Sequence, residues 1–189
     1  MKLARTLIAT VAAGLLATSA FAMTPAEHKA AKDRISADYK MDKKACDAMK
    51  DNAKDICVKE AKGKEDIAKA ELEAQYKPGA KAAHKVADTR ADAAYSVAKE
   101  KCDDLTGNAK DVCVKDAKAA HVKAKEDAKV AKAAMDTSND KAEKMADVKK
   151  DANAEKREAD YKAAKERCDS LAGAAKDSCQ NDAKAKFGM

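Results

Sequence analysis

The chain has 189 residues, of which 38% are charged and 3% are aromatic, and it contains no Trp. After the first 22 residues, 40 residues are Ala and only 15 are Ile, Leu, Val or Phe. This is about 9% of that part, well below the roughly 20% under which a chain struggles to bury enough apolar surface. The composition therefore excludes a large conventional core and leaves an extended Ala-rich helical protein or a disordered chain.

Residues 1–22 have the pattern of a cleavable secretory signal peptide. A positively charged start and an apolar run from Leu7 to Ala17 precede Ala20-Phe21-Ala22, which matches the small-x-small cleavage pattern. The run is shorter than the ~20 residues of a membrane span, and no later stretch could span a bilayer. We therefore expect cleavage after Ala22 and a periplasmic or secreted protein. Removing this segment lowers the formal net charge from +6 to +4, and the interspersed charges are typical of solvated helix faces.

An internal repeat organises the rest of the chain. Its three copies contain the segments CDAMKDNAKDIC, CDDLTGNAKDVC and CDSLAGAAKDSC, in which the second Cys follows the first by eleven residues. A Tyr lies seven residues before each first Cys, and a Met or Leu lies three residues after it. The repeat predicts three helical hairpins, at residues 23–78, 79–138 and 139–189. The side chains expected to pack within them, with the tyrosines covering the disulfides, are Tyr39, Met49, Tyr95, Leu105, Tyr161 and Leu171.

Each segment between two cysteines is predicted to be a helix end followed at once by a helix start. Gly107 can adopt the left-handed conformation that ends a helix, and Asn108 can cap the next helix with Asp111 three residues later. The other two turns keep only part of this pattern, so we expect them to be slightly weaker. The residues that they keep are Asn52 and Asp55 in the first turn and Gly173 and Asp177 in the third.

The spacing of the cysteines favours local disulfides. In one continuous helix, residues eleven apart are separated by about 16 Å, far beyond the ~5.5–6 Å Cα separation of a disulfide, whereas in a hairpin they face each other. Each closed loop is expected to contribute ~2–3 kcal/mol, and export to an oxidising compartment makes bridging plausible. The predicted pairs are Cys46–Cys57, Cys102–Cys113 and Cys168–Cys179.

Between the turns, the abundance of Ala, Lys and Glu predicts helix. Breaks fall at Pro78-Gly79 and at Asp136-Thr137-Ser138-Asn139. The apolar stripe after the second turn has an average step of about 3.67 residues, which favours nearly straight or slightly right-handed packing over a left-handed coiled coil. The expected fold class is all-α, with about six long Ala-rich helices in three disulfide-closed antiparallel hairpins, extended or loosely bundled. The predicted helices are 25–50, 53–77, 80–106, 109–136, 140–172 and 175–187.

The sequence offers few candidates for a catalytic or metal site. It has no C-x-x-C motif, and His28, His84 and His121 are far apart in the chain. A catalytic dithiol normally uses close spacing to lower one thiol pKa, which ten intervening residues do not provide. The basic residues lack the stripe and the stacking aromatics of a nucleic-acid module. We therefore predict no enzymatic activity, no cofactor, no metal and no specific nucleic-acid partner.

The segments YKMDKKACDAMKDNAKDICVKEAK and VAKEKCDDLTGNAKDVCVKDAK resemble a group of small, uncharacterised exported proteins of proteobacteria. Such proteins are sometimes labelled TolA-like from their Ala/Lys-rich helical composition. TolA proteins keep a membrane anchor and end in a folded domain, whereas this chain is expected to be cleaved and to end on a hairpin. The composition and period are also similar to those of late-embryogenesis-abundant stress proteins, which lack these cysteines. The resemblance implies no particular activity.

These observations favour a non-enzymatic periplasmic or secreted protein with an envelope-associated structural, interaction or stress-protective role. Its disulfide-closed helices would present long charged faces to envelope proteins or anionic surfaces. Two alternatives stay open. A thiol redox function predicts that the cysteines cycle, and polyanion binding predicts a steep dependence on salt.

Overall fold

The structure is a computed structural model that describes residues 23–189, so the predicted signal peptide lies outside the described residues. The all-α fold class and the six helices are confirmed. Each of the first, third and fifth helices is followed by a short 3-10 turn that begins at a cysteine: Cys46–Ala48, Cys102–Asp104 and Cys168–Ser170. The helices are α1 (Pro25–Ala45), α2 (Asp51–Tyr76), α3 (Ala80–Lys101), α4 (Gly107–Ala134), α5 (Lys141–Arg167) and α6 (Gly173–Phe187).

The helix ends at the cysteines differ from the predicted ones. The helices before the turns end several residues earlier than predicted, because the chain forms a 3-10 turn at the cysteine and then becomes extended. The helices after the turns begin two residues earlier than predicted. In every turn, the backbone N–H three residues after the first cysteine donates to the carbonyl of that cysteine at 3.0 Å; these donors belong to Met49, Leu105 and Leu171.

A capping box fixes the start of α1. The Thr24 side chain accepts a hydrogen bond from the Glu27 backbone N–H at 3.2 Å, and the Thr24 backbone N–H donates to the Glu27 carboxylate at 2.8 Å. Pro25 occupies the first helical position, where its missing N–H has no cost. These three residues therefore specify the beginning of the described helical array.

Consecutive helices pack side by side in antiparallel order, from α1 on α2 to α5 on α6. Other pairs of helices make only minor contacts, so the six helices form an open single-layer array. The three predicted hairpins pack on one another through α2 with α3 and α4 with α5. The disulfide turns consequently lie along one edge of the array, which we call the turn edge. The two other connections, around Pro78-Gly79 and residues 136–140, lie along the opposite edge.

The buried residues of the array are small. Apart from the first cysteine of each pair, they are mostly alanines, and Leu72 is the largest aliphatic side chain that is buried in the described part. At Gly63 in α2, a Cβ would lie only 2.9 Å from the Cβ of Ala93 in α3. Close approach of helix backbones therefore takes the place of a thick apolar core. No helix within residues 23–189 combines the length and the apolar character needed to cross a membrane.

Candidate functional site

The three disulfide turns are the most regular chemical feature of the chain. All three predicted disulfides form, with Cα separations of 5.6 or 5.7 Å: Cys46–Cys57, Cys102–Cys113 and Cys168–Cys179. The first cysteine of each pair is at most 1% exposed, whereas the second is half-buried. A thiol that attacks one of these disulfides would therefore have to approach the second cysteine.

An ion pair spans each disulfide turn. The aspartate after the first cysteine contacts the lysine that lies three residues before the second cysteine. The hydrogen bond and charge of this lysine hold the pKa of the aspartate below its ordinary value of 3.8 in all three turns. Both residues are identical in the three copies, so comparison of the repeats could have revealed them. The N–O distances are 2.9 Å for Asp47–Lys54, 2.7 Å for Asp103–Lys110 and 2.8 Å for Asp169–Lys176.

The second helix of each hairpin begins with a residue in the left-handed region. Gly107 and Gly173 have φ angles of 57° and 54°, and Asp51 has a φ of 50° at the same position in the first turn. Because this residue itself starts the helix, the N-cap of α4 is Thr106, and its side chain does not bond to the first helical turn. The cap predicted at Asn108 is therefore wrong.

The other predicted turn residues also lie inside helices. Asn52, in α2, donates from Nδ2 to the carbonyl oxygen of Glu100 in α3 at 3.0 Å. This asparagine thus connects two hairpins instead of capping its own helix. The three predicted aspartates occupy the fifth position of their helices and are exposed: Asp55, Asp111 and Asp177.

The apolar residues of the turns are more exposed than predicted. Met49 is 46% exposed, Leu105 is 41% exposed and Leu171 is 42% exposed. Each belongs to the extended segment that follows the 3-10 turn, so its side chain leaves the space between the two helices. The three side chains instead form a row of separated apolar positions along the turn edge.

Aromatic stacking joins the two helices of the first two hairpins. The rings of His28 and Tyr76 lie 4.3 Å apart, and those of Tyr95 and His121 lie 4.7 Å apart. The spacing of the histidines along the chain could not reveal these pairs, because each partner lies on the neighbouring helix. Each of these imidazoles also contacts a carboxylate through Nε2: His28 with Glu73 at 2.9 Å and His121 with Asp92 at 2.6 Å.

The predicted tyrosine positions show a second recurring contact. The ammonium of Lys62 lies 5.8 Å from the ring centroid of Tyr39, and that of Lys118 lies 5.4 Å from the ring centroid of Tyr95. These two lysines are equivalent in the repeat. Tyr161, like the other two, is half-buried. The tyrosines therefore lie between the helices of their hairpins. That they cover the disulfides stays a prediction.

The contacts between neighbouring hairpins repeat as well. Counted from the cysteines, the same three ion pairs join α2 to α3 and α4 to α5. At the first junction they are Glu60–Lys101 at 3.2 Å, Lys59–Glu100 at 3.8 Å and Glu71–Arg90 at 2.5 Å. At the second junction they are Asp116–Arg167, Lys115–Glu166 at 3.7 Å and Asp127–Lys156. The repeat therefore defines the packing between hairpins, as in a solenoid in which each unit contacts its neighbours.

Two open grooves lie over the middle helices. One, of about 580 Å³, is lined by α1, α2 and α3, and the other, of about 990 Å³, is lined by α3, α4 and α5. In the second groove His84 occupies the position of His28, but Lys129 and Lys132 replace the acid and the stacking tyrosine of the first hairpin. Glu126 in this groove is 6% exposed and pairs with Lys129 at 2.6 Å. Both grooves carry acidic and basic side chains, so neither is selective for ions of one charge.

The described residues contain no cluster of three or more His, Cys, Asp or Glu side chains that could hold a metal ion. In comparisons with known proteins, no family model matches the chain, and no curated protein or solved structure matches it. The function must therefore be inferred from the contacts described above.

Proposed function

We propose that this protein is an exported, non-enzymatic helical scaffold with a structural, interaction or stress-protective role at the cell envelope. One observation carries the proposal: the residues that recur in the repeats are used in contacts within the protein. The recurring cysteines bond to each other, the recurring aspartates pair with lysines, and recurring charges join the hairpins. A repeated catalytic site would instead require recurring polar groups that converge on a groove.

Export is supported by two independent features. The pattern of the first 22 residues is that of a cleavable signal peptide. Three closed disulfides in a chain with few large apolar residues are typical of proteins in an oxidising compartment. The periplasm or the outside of the cell is therefore the proposed location.

The proposed mechanism follows from the open array. Its helices have two broad faces that carry interspersed charges, and the disulfides hold each hairpin closed without a large core. Such a surface suits reversible contacts with envelope proteins or anionic surfaces. Because exposed charges are screened by salt, these contacts should be weaker at high ionic strength.

The thiol state of the protein in its native compartment separates the scaffold from the redox alternative. Thiols are blocked at the moment of cell lysis, the protein is denatured and reduced, and the newly exposed thiols are labelled with a second reagent. The scaffold proposal predicts that all six cysteines carry the second label, with or without a prior oxidant pulse. A substantial reduced fraction that responds to the pulse would favour a redox function instead.

In-cell crosslinking tests the interaction role. We expect lysine-reactive reagents to join the exported protein to defined envelope components. The control is a variant that lacks residues 1–22 and stays in the cytoplasm. The same crosslinked partners from both forms, or no partner from the exported form, would contradict an interaction role at the envelope.

A further inference from the structure

The first and last helices, α1 and α6, each have an outer face that no other helix of the array covers. These faces carry residues that are equivalent in the repeat to residues that join hairpins inside the array. Counted from the cysteines, Ala37 of α1 matches Ala93 of α3, and Ala185 of α6 matches Gly63 of α2. Gly63 is buried, and a Cβ added to it would lie 2.9 Å from the Cβ of Ala93. Ala37 and Ala185 are exposed. Each end of the array thus presents one half of a contact that the interior uses at the first junction.

Met41 lies on the outer face of α1 and is 64% exposed. Its equivalents in the other hairpins face the preceding hairpin. Val97 lines the groove between α2 and α3, and Ala163 is only 3% exposed. A large apolar side chain therefore stands uncovered at a position that another helix covers elsewhere in the array.

The charges near the turn edge of the two outer faces are complementary. At the first internal junction, Glu60 pairs with Lys101 and Lys59 pairs with Glu100. On α6 the acid is retained as Asp182, but Asn181 replaces the lysine. On α1, Ala45 takes the position of Lys101 and Lys44 takes the position of Glu100. In this register Asp182 would lie opposite Ala45, and Lys44 would be the adjacent base, opposite the uncharged Asn181.

A second charge pair lies one helical turn further from the turn edge. Lys64 of α2 pairs with Asp42 of α1 at 2.7 Å, lies near Asp38, and lines a groove with Ala94 of α3 at the first junction. The residue at the position of Lys64 on α6 is Lys186, and the residue at the position of Ala94 on α1 is Asp38. Opposite charges would therefore face each other if α6 packed on α1 as α2 packs on α3.

We propose that copies of this protein stack head to tail, with α6 of one copy against α1 of the next. α6 runs away from the turn edge and α1 runs towards it, as α2 and α3 do, so the contact continues the array with the same alternation. Because the two faces differ, the contact is heterologous and can build dimers and longer assemblies. α6 has 15 residues whereas α2 has 26, so we expect the contact between copies to bury less area and to be weaker than the internal junction.

This inference names a partner for the proposed scaffold and rests on that role for its purpose. The two can nevertheless fail separately, because assembly is measured on the purified protein, whereas the role is tested by thiol state and partners in the cell.

Sedimentation velocity of the disulfide-closed protein over a series of concentrations tests the stacking. We expect the weight-average sedimentation coefficient of the unchanged protein to rise with concentration. Lys186→Glu and Asp38→Lys should each weaken association by tenfold or more, because each places like charges at the contact. An equimolar mixture of the two variants should associate again, since each interface in an alternating assembly then has opposite charges.

Lys184→Glu is the matched control, because it makes the same charge change on the same helix on the other side of Ala185. Its equivalent Lys62 lines a groove with Asp92 of α3, but on α1 the position of Asp92 is Ser36, so Lys184 would face no acid there. Association of this control should equal that of the unchanged protein. The stacking would be overturned by a monomer at every concentration. It would also be overturned by equal effects of Lys184→Glu and Lys186→Glu, or by a mixture that stays as dissociated as its components.

Discussion

At the first position of α2, Asp51 adopts a backbone conformation that the other two hairpins assign to glycine. Its φ is 50°, compared with 57° for Gly107 and 54° for Gly173. A residue with a Cβ pays a steric cost in this region, although Asp tolerates it better than most residues. The first turn is therefore strained because Asp51 replaces the glycine of the other copies, which is the replacement on which its predicted weakness depended.

Substitutions at this position should have opposite effects in two turns. Gly107→Ala should lower the free energy of unfolding by about 1 kcal/mol, because the new Cβ meets no atom within 4 Å but the backbone becomes strained. Asp51→Gly should raise it by roughly 0.5 kcal/mol, since relief of strain is partly offset by the freedom of glycine in the unfolded chain. Urea unfolding measures both.

Asp55→Gly provides the matched control for Asp51→Gly. Asp55 is an exposed residue inside the same helix, where its replacement by glycine should destabilise by about 0.3 kcal/mol, because Asp is only slightly better than glycine in a helix. The same substitution should therefore stabilise at one position and destabilise four residues later. Equal shifts at the two positions would contradict a left-handed Asp51.

The aspartates that span the turns give the protein a defined pH dependence. Lys110 lowers the pKa of Asp103 below 3.8 in the folded protein. An acid with a lowered folded pKa stabilises the fold above its unfolded pKa, and this contribution is lost as pH falls through the lowered value. Asp103→Asn should therefore be slightly less stable than the unchanged protein at neutral pH, and the difference should vanish as the pH falls below 3.8.

Thermal unfolding followed by circular dichroism at a series of pH values checks this effect. Asp104→Asn is the control, since Asp104 is the exposed neighbour of Asp103 and Lys110 pairs with Asp103. A difference between the Asp103 variant and the unchanged protein that persists in acid would show that the lysine contact is not its cause.

Among the helices, α6 depends most on its disulfide. It has 15 residues and packs mainly on α5, whereas α4 has 28 residues and packs on both α3 and α5. Isolated helices of about 12–15 residues are marginal in water, so α6 has little stability of its own. The Cys168–Cys179 bridge should accordingly control the local unfolding of α6, while the Cys102–Cys113 bridge should contribute to the stability of the whole array.

Paired serine substitutions distinguish these two cases. Replacing Cys168 and Cys179 should remove hydrogen-exchange protection from α6 while the rest of the protein stays protected. Replacing Cys102 and Cys113 should lower protection throughout the neighbouring helices, by ~2–3 kcal/mol. Equal protection of α6 in the two variants would contradict a special dependence of the last helix on its bridge.

Features that depend on residues close together in the sequence could be predicted, whereas features that depend on contacts between helices could not. The disulfides were predictable because the repeat and the cysteine spacing are local signals, and the break at Pro78-Gly79 is also local. The cap at Asn108 failed because a left-handed residue starts the helix earlier than the capping rule assumes. The stacking of Tyr95 on His121 and the pairing of Glu60 with Lys101 depend on how neighbouring helices align, and no single segment contains that information.

At the scale of the whole molecule, stability should be divided among neighbouring units. Helices contact those next to them in sequence, so removal of the last hairpin leaves the contacts of the first two intact. A chain of residues 23–138 should therefore keep both of its disulfides and the helical content per residue of the full array, with a lower free energy of unfolding because the junction between α4 and α5 is lost.

A chain of residues 23–106 is the matched control, because it ends inside the second hairpin. It retains α3 but lacks α4 and the partner of Cys102, so it should be less helical per residue and form mixed disulfide-linked species. Circular dichroism and non-reducing mass mapping compare the two chains. Loss of helix to the same extent in both would show that the array folds only as a complete unit.

The placement of the disulfides also determines how the molecule responds to force. Each covalent bridge closes one hairpin, and none crosses from α2 to α3 or from α4 to α5. At the turn edge, each hairpin is closed by a covalent bond, whereas neighbouring hairpins are joined there by ion pairs and, at the first junction, by the hydrogen bond from Asn52 to Glu100. Under tension at the turn edge, neighbouring hairpins should therefore separate before the two helices of one hairpin do, and the chain connections at the opposite edge would keep the hairpins joined.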